Sequence, residues 1–242
     1  MAIPKEINPN PLLSSTVEVR FNSKILSEDI LTTVFPLISK NFPKVKDLAK
    51  IPGILGKTTT TATLNFSSGF VFANDKYSMT VSPTSIAFEN IAGYQYWDNY
   101  FPVIKENLEI LSHAIQWDEL TRIGLRYASL FENQESTLEA LNLNTTGDFK
   151  GLTQELQAFR TIYSKGDINL LLQVAKNATV RKENKNVSGL YLDIDASVDK
   201  NLSKKTNEEL FSLINTLHTE LKELLFNNVV KAEFLKKLNV KY

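Results

Sequence analysis

The residues best suited to chemistry lie in VSGLYLDIDAS, residues 187 to 197. Leu190, Leu192 and Ile194 alternate with Tyr191, Asp193 and Asp195, the two-residue period of a strand, so both carboxylates belong to one face. Two such carboxylates can hold a Mg²⁺ or Mn²⁺ ion. One of them can also act as a base near neutral pH, provided burial or crowding raises its pKa. Arginines complicate both options. TVEVRFNS (16–23) and RIGLRYAS (122–129) place Glu18, Arg20, Arg122 and Arg126 opposite the apolar residues of their own strands. If these strands are neighbours, three cations and three anions meet on one polar surface. They form either a cleft in which Arg20 and Arg126 grip an anionic group by paired hydrogen bonds, or a ladder of cross-strand ion pairs. Each rung of such a ladder contributes roughly 0.2–1 kcal/mol. Six groups that satisfy one another need no ligand, and the ladder is the expectation. Guanidinium groups would also compete with a metal for Asp193 and Asp195, so no metal site and no cofactor is expected.

Other chemistry-bearing stretches are weaker. IPGILGKTTTT, residues 51 to 61, has only two residues between Gly53 and Gly56, and its Lys57–Thr58 pair leads into a β-type threonine run. A phosphate loop needs G-x-x-x-x-G-K-[ST] ahead of a helix, so this stretch reads as a loop entering a strand. His113 and His218 are the only histidines. His218 precedes Glu220 and Glu223, and neither spacing gives the same-face i, i+4 pair of a helical metal site; a helix-surface or core-edge position is expected for each histidine. No G-x-S-x-G elbow supplies a nucleophilic serine, and no catalytic residues are assigned. GYQYWDNYF, residues 93 to 101, is the densest aromatic cluster. Tyr96, Trp97 and Tyr100 either plug the entrance to a helix or, if exposed together, form a protein interface, where tyrosine and tryptophan dominate.

Composition bounds these readings. The 242 residues carry 27 Lys plus Arg against 27 Asp plus Glu, a formal net charge of zero. A dedicated nucleic-acid binder, whose affinity comes from phosphate neutralisation, is therefore not expected. The absence of cysteine excludes disulfides, thiolate nucleophiles and Cys-based metal centres. No apolar run approaches the ~18 residues of a membrane helix, and MAIPKEINPNPLL does not resemble a signal peptide. A cytoplasmic location without membrane attachment is the expectation.

The elements that must position these residues follow a repeating pattern. TVEVRFNS and RIGLRYAS match position by position at an offset of 106 residues, and the same offset lays SIAFEN (85–90) over YLDIDA (191–196). In the first half, a strand at about 16–23 leads to a helix at about 27–41, with Ser27 as N-cap and Glu28 and Asp29 in its first turn. Two β-rich runs, TTTTATLNFSSGFVFAND and KYSMTVSPTSIAFEN, follow around an Asn74–Asp75 turn, then a helix at about 94–116. In the second half a strand at 120–131 is followed by a helix near 152–163, strands near 167–180 and 186–197 around the polar turn RKENKN, and a long helix from Thr206. There Thr206 and Glu209 form a capping box. The expected architecture is one α+β domain, residues 1–242, of two strand–helix–strand–strand–helix pseudo-repeats, about 14–117 and 118–242. Its antiparallel sheet would carry helices on one face. SLFENQESTLEALNLNTTGDFKG, residues 129 to 151, has the weakest periodicity and reads as a loop or arm.

NPNPLLSSTVEVRF, RIGLRY, LYLDIDAS and LHTELKELLF together resemble an uncharacterised bacterial protein family of sporadic distribution and unknown function. The resemblance spans nearly the whole chain. The chain has Pro11, Leu12 and Leu13 where that pattern has a double proline and Ile, and Ser129 where it has Asn. Sporadic distribution implies mobile genes, such as defence or toxin-linked loci. The leading functional expectation is a non-enzymatic interaction protein, a partner or neutralising subunit whose counterpart is another protein or a second copy. The alternative is a module binding a small anionic ligand on the polar sheet face between the repeats. The second alternative is a metal- or acid/base-dependent enzyme using Asp193 or Asp195.

Overall fold

The structure is a computed structural model, and it describes residues 3–50, 68–117, 119–132, 138–143, 157–182, 185–203 and 205–241. The chain is mixed α and β, and its strands pair antiparallel. It divides into two compact units. One comprises residues 16–124 and 199–212; the other comprises 1–15, 125–198 and 213–242.

In the first unit, β2 (Leu12–Asn22) supplies Val17, Val19 and Phe21, all buried, and α1 (Ser27–Ile38) follows. The short strands β3 (Lys44–Asp47) and β4 (Phe70–Ala73), then β5 (Tyr77–Ser82) and β6 (Ser85–Asn90), build a meander whose last strand lies beside β2. Val17 is opposite Phe88 and Val19 opposite Ile86, so cross-strand apolar pairs fix the register. Helix α2 (Trp97–Ile115) buries Trp97, Tyr100, Ile104, Leu108, Leu111 and Ile115. These are spaced three or four residues apart and make the stripe that a helix lays on a core. Tyr100 stacks on Tyr77 of β5 with ring centroids 5.5 Å apart.

In the second unit, β7 (Glu119–Phe131) contributes its residues from Leu125 onward and lies beside β10 (Lys185–Val198). β8 (Gln157–Lys165) and β9 (Ile168–Lys182) complete a second meander, with β8 at its edge. From α3 (Asn207–Glu223), Ile214, Leu217 and Leu221 are buried in this unit. A π-helical turn (Leu224–Val229) and the short α4 (Ala232–Leu235) follow, and Phe234 meets Phe131 edge-on at 5.5 Å. The chain ends are tied together where β1 (Glu6–Asn8) pairs with β11 (Asn239–Lys241), and Lys241 bonds Glu6 at 2.8 Å.

The Thr206–Glu209 capping box is present. The Glu209 amide donates to the Thr206 hydroxyl at 3.2 Å and the Thr206 amide to the Glu209 carboxylate at 2.8 Å. These bonds hold the Glu209 carboxyl below the usual glutamate range.

Four expectations need correction. The helix expected near 152–163 is strand β8 over its described part: Ala158 to Lys165 pair with Ala175 to Ile168 of β9. A two-residue turn, Gly166–Asp167, closes the hairpin, with Gly166 at φ +59°, where glycine meets no Cβ penalty. Phe159, Thr161, Ile162 and Tyr163 are aromatic or β-branched, and pairing with β9 decides their conformation. The recurrence of the strand–helix–strand–strand–helix order is not confirmed: among the described residues, the stretch between β7 and β8 holds only a 3₁₀ turn, Leu138–Ala140.

The run KYSMTVSPTSIAFEN is two strands, because the Pro83–Thr84 turn folds β6 back on β5, pairing Ser82 with Ser85. Ser27 is the first helical residue, not the cap. Leu26 holds the extended cap conformation and no side chain caps the helix. The helix also stops at Ile38, short of 41.

IPGILGKTTTT, most of the threonine-rich run and most of residues 129–151 lie outside the described residues. No helix among the described residues is long and apolar enough to cross a membrane.

Candidate functional site

Five of the six charged residues singled out in the sequence fall into two clusters, one in each unit. In the first, Glu18 points away from buried Val17 and Val19, yet it is itself only 4% exposed. Two guanidinium groups converge on its Oε2. Arg122 Nη1 donates at 2.6 Å and Arg20 Nε lies at 3.0 Å. Arg20 has 45% of its side chain exposed. Gly124 makes room for this arrangement. A Cβ there would come within 2.4 Å of Arg122 Nη1 and 2.8 Å of its Cζ, so the guanidinium lies across the glycine.

In the second unit, Arg126 holds Asp193 through two parallel bonds, Nε to Oδ1 at 2.7 Å and Nη2 to Oδ2 at 2.6 Å. Asp193 is 1% exposed. Gln173 of β9, directly opposite in register, donates to Oδ2 at 3.2 Å, and the Tyr191 hydroxyl donates to it at 3.3 Å. Burial lowers the Arg126 pKa, but the hydrogen bond and charge of Asp193 outweigh it and raise the guanidinium overall. Burial and then the Asp193 charge push the Tyr191 phenol up to about 12. The carboxylate-gripping geometry expected of Arg126 toward a ligand is thus met by a side chain of its own unit. Asp195, two residues along, is half-buried. Among the described residues no group of three or more metal-ligating side chains gathers.

Of the two readings of the aromatic cluster, packing at the helix entrance describes Trp97 and Tyr100, and the joint interface of Tyr96, Trp97 and Tyr100 is the one corrected. Tyr100 is fully buried and Trp97 only 9% exposed, stacked on Phe101 at 5.0 Å, so neither presents a surface. Tyr96 alone is exposed. Burial is favoured because these rings fill the start of the α2 stripe. His113 is exposed on α2. His218 is buried, its Nδ1 2.9 Å from the Tyr127 hydroxyl of β7. Burial, with the Lys222 charge adding to it, pushes the imidazole down to about 3, so at neutral pH it is uncharged.

Sequence reasoning passes over the most exposed apolar surface. Among the described residues β8 is an edge strand, and Ile162 is 63% and Tyr163 45% exposed. Arg160 is exposed too. The alternating faces of a strand place Ile162 with Arg160 and Tyr163 with Phe159, so apolar groups are open on both sides. The signal that could reveal it is the run FRTIY, rich in strand-favouring residues and leading straight to Gly166–Asp167.

The sequence matches no family model and no curated protein.

Proposed function

We propose that this chain is a non-enzymatic interaction module whose binding element is the β8 edge. The supporting observation is the edge itself, a nine-residue strand at the end of its meander with Ile162 and Tyr163 exposed on opposite faces. Long edge strands template further pairing, and proteins ordinarily blunt them with short length or lysines. β3, at the end of the other unit's meander, follows that rule: it has four residues, and Lys44 and Lys46 flank its exposed Val45. β8 departs from it in length, with Arg160 and Lys165 as its only charges over nine residues, and a strand this long suits a partner that pairs with it.

The proposal extends to origin and setting. The offset of 106 residues, together with a meander in each unit whose last strand lies beside β2 or β7, supports an internal duplication that diverged after β7. Resemblance to the sporadically distributed bacterial family supports a cytoplasmic role as partner or neutralising subunit in a mobile or defence-type locus.

Native mass spectrometry of the chain purified gently from its host tests the interaction role. A stoichiometric second polypeptide is expected on the wild-type chain and is lost in Ile162→Lys. A bare single mass, or a partner retained equally by the variant, would contradict it.

A second reading is favoured by one observation, the half-exposed Arg20 beside the buried Glu18. There a small anion would be held by Arg20 rather than by Arg126, which Asp193 occupies. Calorimetric titration with inorganic phosphate tests it: heat that disappears in Arg20→Met supports an anion site, and no heat contradicts one.

A further inference from the structure

The hairpin formed by β8 and β9 is strongly basic within a chain of zero net charge. Residues 157–182 contain Arg160, Lys165, Lys176, Arg181 and Lys182 against Asp167 alone, which leaves +4. Lys165 is taken by Glu220 at 2.8 Å. Arg160 and Lys176 make no ion pair among the described residues.

Register places Arg160 at the end of a polar row. Arg160 is opposite Gln173, and Gln173 is opposite Asp193, which Arg126 holds. Cation, amide and carboxylate thus follow one another across β8, β9 and β10, and the row stops at an exposed guanidinium on the free edge. Beside it, Ile162 presents an apolar side chain on the same face. Phe159 and Tyr163, on the opposite face, continue the row of Val174 and Leu170, which are buried.

We infer that β8 receives an acidic, extended segment of a partner protein as an added strand, with a carboxylate opposite Arg160 and apolar side chains beside Ile162 and Tyr163. This inference rests on the interaction role proposed for the same edge. Every second residue of an edge strand turns its N–H and C=O outward, and only another strand satisfies that repeat. Charge selects the class of strand. A second copy of this chain would set one basic hairpin against another, whereas a strand carrying Glu or Asp extends the existing row by one complementary charge.

Fluorescence anisotropy of the full-length chain titrated against a labelled nine-residue peptide, glutamate alternating with valine and tyrosine, tests the inference. Saturable binding is expected. Arg160→Glu should weaken it at least tenfold, with an unchanged far-ultraviolet circular dichroism spectrum and melting temperature. The same peptide with lysine for glutamate should not bind. Ile162→Lys, on the same face as Arg160, serves as a second variant and should also weaken binding.

Absence of saturable binding by the acidic peptide would overturn the inference. So would tighter binding of a single-stranded oligonucleotide, or a concentration-dependent dimer lost in Ile162→Lys. If native mass spectrometry finds a partner held equally by wild type and Arg160→Glu but lost in Ile162→Lys, the edge remains an interaction site and only the acidic-strand assignment fails.

Discussion

Arg126 grips Asp193 with both ends of its guanidinium fork, at 2.7 and 2.6 Å, and Asp193 is almost wholly removed from solvent. Removing the cation alone would strand a buried carboxylate. Arg126→Met is therefore expected to cost about 3 kcal/mol or more of folding stability. Adding Asp193→Leu removes the stranded charge and should recover most of that loss, because buried ion pairs are commonly replaceable by apolar residues of similar volume. Urea denaturation of the two single variants and the double variant measures this. Additive losses would show that the two side chains act independently.

His218 makes stability depend on pH. Its folded pKa is pushed down to about 3, from 6.5 for an unperturbed histidine, because burial disfavours the imidazolium. As pH falls, the unfolded chain binds the proton first, so stability is complete above about 6.5 and declines as pH falls toward 3. A tenfold change in proton affinity corresponds to about 1.4 kcal/mol, which bounds the loss by pH 4 at roughly 3 kcal/mol. His218→Gln keeps a polar group facing Tyr127 and removes the titration. Thermal melts between pH 7 and 4 should fall less steeply in the variant; parallel curves would contradict the assignment.

Gly124 holds open the space that Arg122 occupies on its way to Glu18. Valine is the better strand former by up to ~1 kcal/mol, so strand propensity alone predicts stabilisation. Gly124→Val is expected to destabilise instead, because it displaces the Arg122 guanidinium from a buried carboxylate. Arg122→Met should destabilise to a similar degree, and the double variant no more than either single change. Chemical denaturation measures all three; a stabilising Gly124→Val would contradict the steric account.

How much of the molecule is legible in its sequence depends on which interactions decide each element. LYLDIDAS and RIGLRY read as strands because alternation is a local property, and both are strands. The Thr206–Glu209 cap is equally local. FRTIY misleads because Leu152, Leu156, Phe159 and Tyr163 also fit a helical spacing, and pairing with residues 168–176 settles the matter from outside the segment.

The charged residues do lie opposite the apolar ones, but alternation says nothing about whether that second face is covered. Asp193 is buried there, under a bidentate arginine, a glutamine from the next strand and a tyrosine hydroxyl. Nor does alternation assign partners: Glu18 takes Arg20 and Arg122, and Arg126 takes Asp193, because strand order determines reach. Trp97 and Tyr100 are aromatic in sequence whether they face a partner or a core; the position of α2 against β5 turns Tyr100 inward.

If β8 is an edge filled by a partner strand, hydrogen–deuterium exchange over residues 157–165 will differ between the chain in complex with its host partner and the chain purified alone. In the chain purified alone the outward-facing amides of this segment are expected to exchange rapidly, and in the complex to slow at least tenfold. Equal exchange across 157–165 in both samples, with new protection confined to other segments, would contradict it.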